Sequence, residues 1–136
     1  MENLNIQKVL VVDDDNNLMT VLVDKLNFAG FDALGAVDGQ DGLEKATSFH
    51  PDIILLDLAM PKMNGLEMLK KLREDAWGKN ARVVVLTALE QQTALMAEAV
   101  GYNILGYLVK TNYSLDEVVE KIHNILSKLS IVKQNN

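Results

Sequence analysis

Short aliphatic runs alternate along the chain with segments in which apolar side chains recur every three to four positions. Val9-Leu10-Val11-Val12, Ile53-Ile54-Leu55-Leu56 and Val83-Val84-Val85-Leu86 are continuous runs rich in β-branched residues. Runs of this length suit strands covered on both faces, as in a parallel sheet. Two weaker strands are predicted, over Phe31–Val37 and Ile104–Val109. The helical segments lie between and after these runs. The first carries Leu18, Val21, Leu22 and Leu26, with Gly30 as its stop. The second opens near Asp38 and ends before Pro51. The third spans about Gly65 to Ala76, and the fourth about Glu90 to Val100. The last is the clearest: Leu115, Val118, Val119, Ile122, Ile125, Leu126 and Leu129 form one stripe, with charged residues off it. Ser114 and Glu117 before it read as a capping box.

Five successive βα units predict an α/β fold, because right-handed crossovers place helices on both faces of a parallel sheet. The expected architecture is a five-stranded sheet of order 2-1-3-4-5, a flavodoxin-like (βα)5 three-layer sandwich. One domain is expected over residues 1–136, with a core at about 7–128 and a tail over 129–136, loosely ordered from Ile131 to Asn136.

Composition narrows the function. A chain of 136 residues that is 49% hydrophobic is one globular domain, not a disordered one. The absence of cysteine excludes disulfides and thiolate metal sites, and a cytoplasmic location fits it. No apolar run approaches the roughly 18 residues of a membrane helix, and no membrane partner is expected. Met1-Glu2-Asn3-Leu4-Asn5 lacks the basic and apolar regions of a signal peptide. A formal net charge of −6 argues against direct nucleic-acid binding.

In such sheets the functional crevice lies at the carboxyl ends of the strands. There the sequence puts Asp13, Asp14 and Asp15 after strand 1, Asp57 after strand 3, Thr87 and Ala88 at strand 4, and Lys110 at strand 5. Gathered carboxylates repel and raise one another's pKa, a penalty that a divalent cation removes. Oxygen-only donors favour a hard ion such as Mg²⁺. An aspartate can act as nucleophile toward phosphorus, after which phosphoryl transfer needs mainly positioning and charge neutralisation. Plainer roles exist for each residue. Asp15 reads as a helix cap, Thr87 as a β-former, Lys110 as an edge lysine and Tyr107 as a packed strand aromatic. Pro61, Gly65 and Gly106 read as turn or backbone-fit residues, and His50 and His123 as surface or helix-end residues. Trp77 is expected to pack at the end of the third helix.

The blocks Val11-Val12-Asp13-Asp14, Leu56-Asp57-Leu58-Ala59-Met60-Pro61, Lys62-Met63-Asn64-Gly65, Leu86-Thr87-Ala88 and Gly106-Tyr107-Leu108-Val109-Lys110 resemble the signature of response-regulator receiver domains, in order and spacing, over roughly residues 7–128. The resemblance implies Asp57 as phosphoacceptor. It implies Mg²⁺ held directly by Asp14, Asp57 and the main-chain carbonyl of Ala59, with Asp13 holding metal waters. Lys110 would bridge to the acceptor carboxylate or phosphoryl group. Thr87 and Tyr107 would switch with the phosphoryl. It implies a sensor histidine kinase or a phosphotransfer protein as donor, a downstream target or output domain, a phosphorylation-dependent dimer, and no enzymatic turnover beyond assisting its own phosphorylation and dephosphorylation. Thr111 stands where many relatives have a proline reached by a cis bond, so a trans peptide is expected after Lys110. Leu58 and Leu89 are expected to flank the site and restrict water. A flavin-binding reading lacks a phosphate loop after strand 1. A haloacid-dehalogenase-type phosphatase would need a second aspartate two residues after Asp57, where Ala59 stands. A pseudo-receiver that never takes phosphate remains the third alternative.

Overall fold

The computed structural model describes residues 6–60, 63–88 and 93–134. Its strands are β1 (Lys8–Val12), β2 (Asp32–Ala36), β3 (Ile53–Leu56), β4 (Val83–Thr87) and β5 (Gly106–Val109). Its helices are α1 (Asn16–Phe28), α2 (Gly39–Phe49), α3 (Gly65–Glu74), α4 (Thr93–Val100) and α5 (Leu115–Gln134). All strand pairings are parallel and the order is β2-β1-β3-β4-β5, as expected.

Alternation along each strand splits the core into two layers. Leu10, Val12, Ile54, Leu56, Val83 and Val85 pack with α2, α3 and α4 through Ala46, Leu66, Met68, Leu69, Leu72 and Ala99. Val9, Val11, Ile53, Leu55, Val84 and Leu86 pack with α1 and α5 through Met19, Leu22, Leu26, Val118, Ile122 and Leu126. The continuous aliphatic runs are therefore continuous because both faces are covered.

Caps set the helix boundaries. Asp15 and Asp38 accept from the amides of Leu18 and Asp41 and open α1 and α2. The Ser114–Glu117 capping box is present ahead of α5. Ala29 caps the C-terminus of α1, and Gly30 follows at φ +101°, where a side chain would be strained. α3 ends at Glu74, short of Ala76, because the Asp75 carboxylate accepts from the amides of Trp77 (3.0 Å) and Gly78 (2.8 Å) and turns the chain. Trp77 packs against the core there and stacks on His50, ring centroids 4.5 Å apart.

Four expectations need correction. α5 runs to Gln134, into the expected tail, since no proline or glycine interrupts residues 115–134. β5 begins at Gly106, not Ile104: Asn103 adopts a left-handed conformation (φ 65°), and pairing starts as the Leu105 amide meets the Val83 carbonyl. Val21 does not join the buried stripe of α1 and is 44% exposed. Gly106 meets no steric demand, since a Cβ there would find open space. The expected start of the fourth helix at Glu90 lies outside the described residues. No peptide among the described residues is cis, so the Lys110–Thr111 bond is trans as expected.

Candidate functional site

The carboxyl ends of β1, β3, β4 and β5 converge on Asp13, Asp57, Thr87 and Lys110. Parallel pairing aligns them. β1 and β3 are in register as Val12 against Leu56, and the Asp57 amide donates to the Val12 carbonyl at 2.9 Å. The Asp13 amide in turn donates to the Ala36 carbonyl of β2 at 3.1 Å. The two aspartates thus leave adjacent strands at the same level. Both are buried, with relative exposures of 1% (Asp13) and 5% (Asp57), while Asp14 is exposed. One carboxylate oxygen from each of Asp13, Asp14 and Asp57 falls within 4.8 Å of the others.

Lys110 is the cation of the group. It opens a short 3₁₀ turn after β5, and its Nζ lies 2.9 Å from Asp13 Oδ2 and 3.4 Å from Asp57 Oδ2. Backbone amides engage the other oxygens: Asp15 N–H donates to Asp13 Oδ1 (2.9 Å), and Ala59 N–H donates to Asp57 Oδ1 (3.3 Å). Asp13 Oδ2 has only the charge contact with Lys110 and no donor of hydrogen-bond geometry. A buried carboxylate oxygen left so is expensive unless a further positive group meets it.

Burial, reinforced by the neighbouring Asp13 charge, pushes the Asp57 carboxyl up to about 7 from its ordinary value near 3.8; Lys110 and the Ala59 amide offset this only in part. Burial by itself would lower the Lys110 pKa, but Asp13 and then Asp57 outweigh it and raise the ammonium above its usual range.

The backbone under Asp57 is held from behind. A Cβ on Gly65 would come within 2.1 Å of the Asp57 carbonyl oxygen, and the Gly65 amide donates to the Leu58 carbonyl at 2.8 Å. The Asn64–Glu67 capping box fixes this end of α3. The Gly39 amide donates to the Met63 carbonyl at 3.1 Å, so α2 braces the same loop. Gly65 is thus the backbone-fit residue expected, while the parts of Gly39 and of the Ala59 amide were missed. The tendency of an aspartate at a strand end to accept from the amide two residues on is the available signal for the latter.

Thr87 ends β4, 2% exposed, and its hydroxyl donates to the Ala88 carbonyl at 3.3 Å and not to Asp57. Tyr107 points outward, 56% exposed. Leu58 corrects an expectation: it is fully buried in the core layer of α2–α4, and the exposed side chain beside Asp57 is Ala59. The chain turns directly after Asp57, so position 58 returns to the core. Leu89 and Pro61 lie outside the described residues.

An acidic pair at the ends of β1 and β3, bridged by a lysine from β5, matches one family. The response regulator receiver domain family matches residues 9–123. This chain belongs to it. Response regulator ArlR of Staphylococcus aureus is 32% identical over 121 residues, covering 89% of this chain and 53% of ArlR. The receiver domain here thus spans about half the length of the curated relatives it matches. Among solved structures, the receiver domain of Francisella response regulator 1452 is 33% identical with a TM-score of 0.75, covering 91% of this chain and 98% of that one. The chemotaxis response regulator CheY4 of Vibrio cholerae is 27% identical with a TM-score of 0.78, covering 89% and 99%. The chain is therefore a receiver domain of two-component response regulators, and its acidic cluster is compatible with magnesium and phosphorylation. No helix among the described residues is long and apolar enough to cross a membrane.

Proposed function

We propose that this receiver domain accepts a phosphoryl group on Asp57 from a sensor histidine kinase or a phosphotransfer protein. The supporting observation is the placement of Asp57: buried, beside Asp13, and 3.4 Å from the Lys110 ammonium. The donor set also fits a metal. It is oxygen-only, closely spaced, and includes a buried Asp13 oxygen lacking a hydrogen-bond donor. Asp13, Asp14, Asp57 and the Ala59 carbonyl would hold Mg²⁺, with Asp13 acting through waters. When bound, the ion supplies neutralisation of the carboxylate and phosphoryl oxygens.

The chain's own residues do the rest. Asp57 attacks as the carboxylate: a P–O bond forms on an Asp57 oxygen as the P–N bond to the donor histidine breaks, and the electron pair stays on that nitrogen. The raised pKa of Asp57 means that Lys110 and the cation must favour its charged form. Lys110 then faces a phosphoryl group carrying close to two negative charges. The Thr87 hydroxyl gives up its long contact with the Ala88 carbonyl for a phosphoryl oxygen. Tyr107, outward in this structure, moves with it, and the face formed by α4, β5 and α5 is remodelled for a partner, an output domain or a second receiver. Moving such a switch from 1:99 to 99:1 needs about 5.5 kcal/mol, which a few charge-assisted hydrogen bonds of roughly 1.5–3 kcal/mol each would supply. The domain acts in the cytoplasm and contacts neither nucleic acid nor membrane directly.

Intact mass after incubation with acetyl phosphate tests this reading. A phosphoryl-sized gain is expected that requires Mg²⁺ and is lost in Asp57→Asn. No gain in the wild type with Mg²⁺ bound would favour an interaction module that never takes phosphate.

A further inference from the structure

The five-stranded sheet is open, so β2 and β5 each have one side without a neighbouring strand. Such an edge is a template on which another chain can add a strand. β2 also bears exposed aliphatic side chains: Leu34 is 37% exposed, and Val37 just beyond the strand 43%. Two bonds establish which backbone groups of β2 face out. The Asp32 amide donates to the Gln7 carbonyl, and the Ala36 carbonyl accepts from the Asp13 amide, so Asp32, Leu34 and Ala36 turn to β1. Ala33, Gly35 and Val37 therefore turn outward. Their polar groups are met by side chains. The Ala33 amide donates to Asn27 Oδ1 at 2.8 Å. The Gly35 carbonyl accepts from Lys45 Nζ at 2.6 Å. The Val37 amide donates to Asp41 Oδ2 at 3.2 Å. Lys45 Nζ also lies 3.2 Å from Asp41 Oδ2, one turn apart on α2, so the two side chains hold each other in place. Asn27 comes from the last turn of α1, and Asp41 and Lys45 come from α2 on the opposite face of the sheet. At the other edge the nearest such bonds go to the carbonyls of Tyr102 and Asn103, before β5, and none among the described residues meets β5 itself.

We propose that Asn27, Asp41 and Lys45 close the β2 edge to strand pairing with a second copy of this chain. An added strand binds by exchanging hydrogen bonds with the outward backbone groups of its neighbour. At β2 the successive outward positions 33, 35 and 37 each have a group already engaged, and an incoming strand must displace three side chains before it gains a bond. It must also cover the Lys45 ammonium and the Asp41 carboxylate, and backbone groups do not compensate that loss of water in full. A second copy is the partner to be kept away, because every molecule carries the same edge and a two-fold axis lets two such edges pair antiparallel. Edge strands are often blunted by charges of their own. β2 has only one, Asp32, and the flanking helices supply the rest. The closure uses no residue of the Asp57 cluster and stands whether or not that residue takes a phosphoryl group.

Sedimentation of the unphosphorylated protein, from micromolar to millimolar, tests the proposal on the triple variant Asn27→Ala, Asp41→Ala, Lys45→Ala. The variant loses one carboxylate and one ammonium, so its net charge stays at −6 and altered repulsion cannot drive a change. It should self-associate at least about tenfold more strongly than the wild type, which is what one displaced hydrogen bond converts to. Adding Leu34→Lys, a charge on the strand itself, should restore the wild-type profile even though it makes the net charge less negative. Far-UV circular dichroism and cooperative urea unfolding of the dilute variant establish that it is folded. Native amide exchange of the wild type, corrected for intrinsic rates, tests the closure without any substitution. The Ala33 and Val37 amides should exchange at least about tenfold more slowly than that of Gly35, which has no side-chain acceptor among the described residues. A folded triple variant that sediments like the wild type overturns the proposal. So does association that Leu34→Lys leaves unchanged, because the contact then lies elsewhere. Ala33 and Val37 amides that exchange as fast as Gly35 overturn it too, and that result holds even where the triple variant fails to fold.

Discussion

Replacing Asp57 by asparagine should stabilise the metal-free protein at neutral pH while abolishing its proposed chemistry. Asparagine keeps the shape of aspartate and can still accept from the Ala59 amide, but it removes one of two buried negative charges. The pKa of Asp57 is raised from about 3.8 to about 7 in the folded protein. Below the lower value the folded and unfolded chains are both protonated, and the group contributes no difference. Between the two values the folded chain keeps the proton and the unfolded chain has released it. Stability therefore falls as pH rises through this window, and the loss is complete once pH exceeds the folded pKa. Three units correspond to on the order of 4 kcal/mol, a ceiling that relaxation and water entry reduce. About half of it would still raise the melting temperature by roughly 5 °C or more in a domain of this size.

Urea unfolding in EDTA from pH 4.5 to 8.5 measures this. Wild type and Asp57→Asn should be close at the acid end and diverge toward pH 8, with the mutant more stable. Adding Mg²⁺ should recover stability in the wild type, since an ion bound only by the folded state stabilises it. A gap that does not change with pH, or a mutant less stable than wild type at pH 8, would refute the account of Asp57 as a strained, charge-crowded carboxylate.

Two further outcomes follow from the frame around the site. The Arg73 guanidinium donates to the carbonyls of Tyr102, Gly78 and Ala81 at 2.8 Å and of Asn103 at 3.2 Å, tying α3 to the loop before β5. Arg73→Ala should destabilise by about 2–4 kcal/mol in urea unfolding and speed amide exchange in residues 101–105, and Arg73→Lys should recover only part, since an ammonium cannot span that fork. Gly65→Ala should destabilise by about 1–3 kcal/mol and slow acetyl phosphate labelling, because a Cβ 2.1 Å from the Asp57 carbonyl oxygen forces the loop to move. A stabilised Gly65→Ala protein, as helix propensity by itself would give, would count against the close approach.

The inner sheet was legible because β1, β3 and β4 are buried on both faces and so appear as uninterrupted aliphatic runs, whereas the edge strands β2 and β5 keep exposed positions and gave the weaker patterns. The site was legible because parallel order turns strand ends into neighbours: Asp13, Asp57 and Lys110 are far apart in sequence yet within 3.4 Å contacts. What could not be read depends on where the chain turns after a strand. Leu58 looked like a flank of the site by adjacency to Asp57, but the turn buries it and leaves Ala59 exposed. Val21 fits the spacing of the first helix, and only the position of α5 makes it face a groove. The Arg73 ties reach carbonyls 29 and 30 residues away, and a carbonyl leaves no mark in a side-chain pattern.

These misses share a cause that bears on function. Side chains report burial, whereas the positioning of Asp57 rests on backbone groups: the Ala59 amide in front, the Gly65 approach behind, and the Val12 carbonyl beside it. Backbone contacts of this kind hold Asp57 without spending a charge on it. Lys110 then has two carboxylates to serve, and it sits nearer Asp13 (2.9 Å) than Asp57 (3.4 Å). Asp57 is the less neutralised of the two, and this is the condition under which an added cation and the proposed phosphoryl group would gain most from binding there. The instability expected of the metal-free cluster and its proposed reactivity are thus two consequences of one arrangement. A substitution that relieves the first without a metal, as Asp57→Asn should, necessarily removes the second.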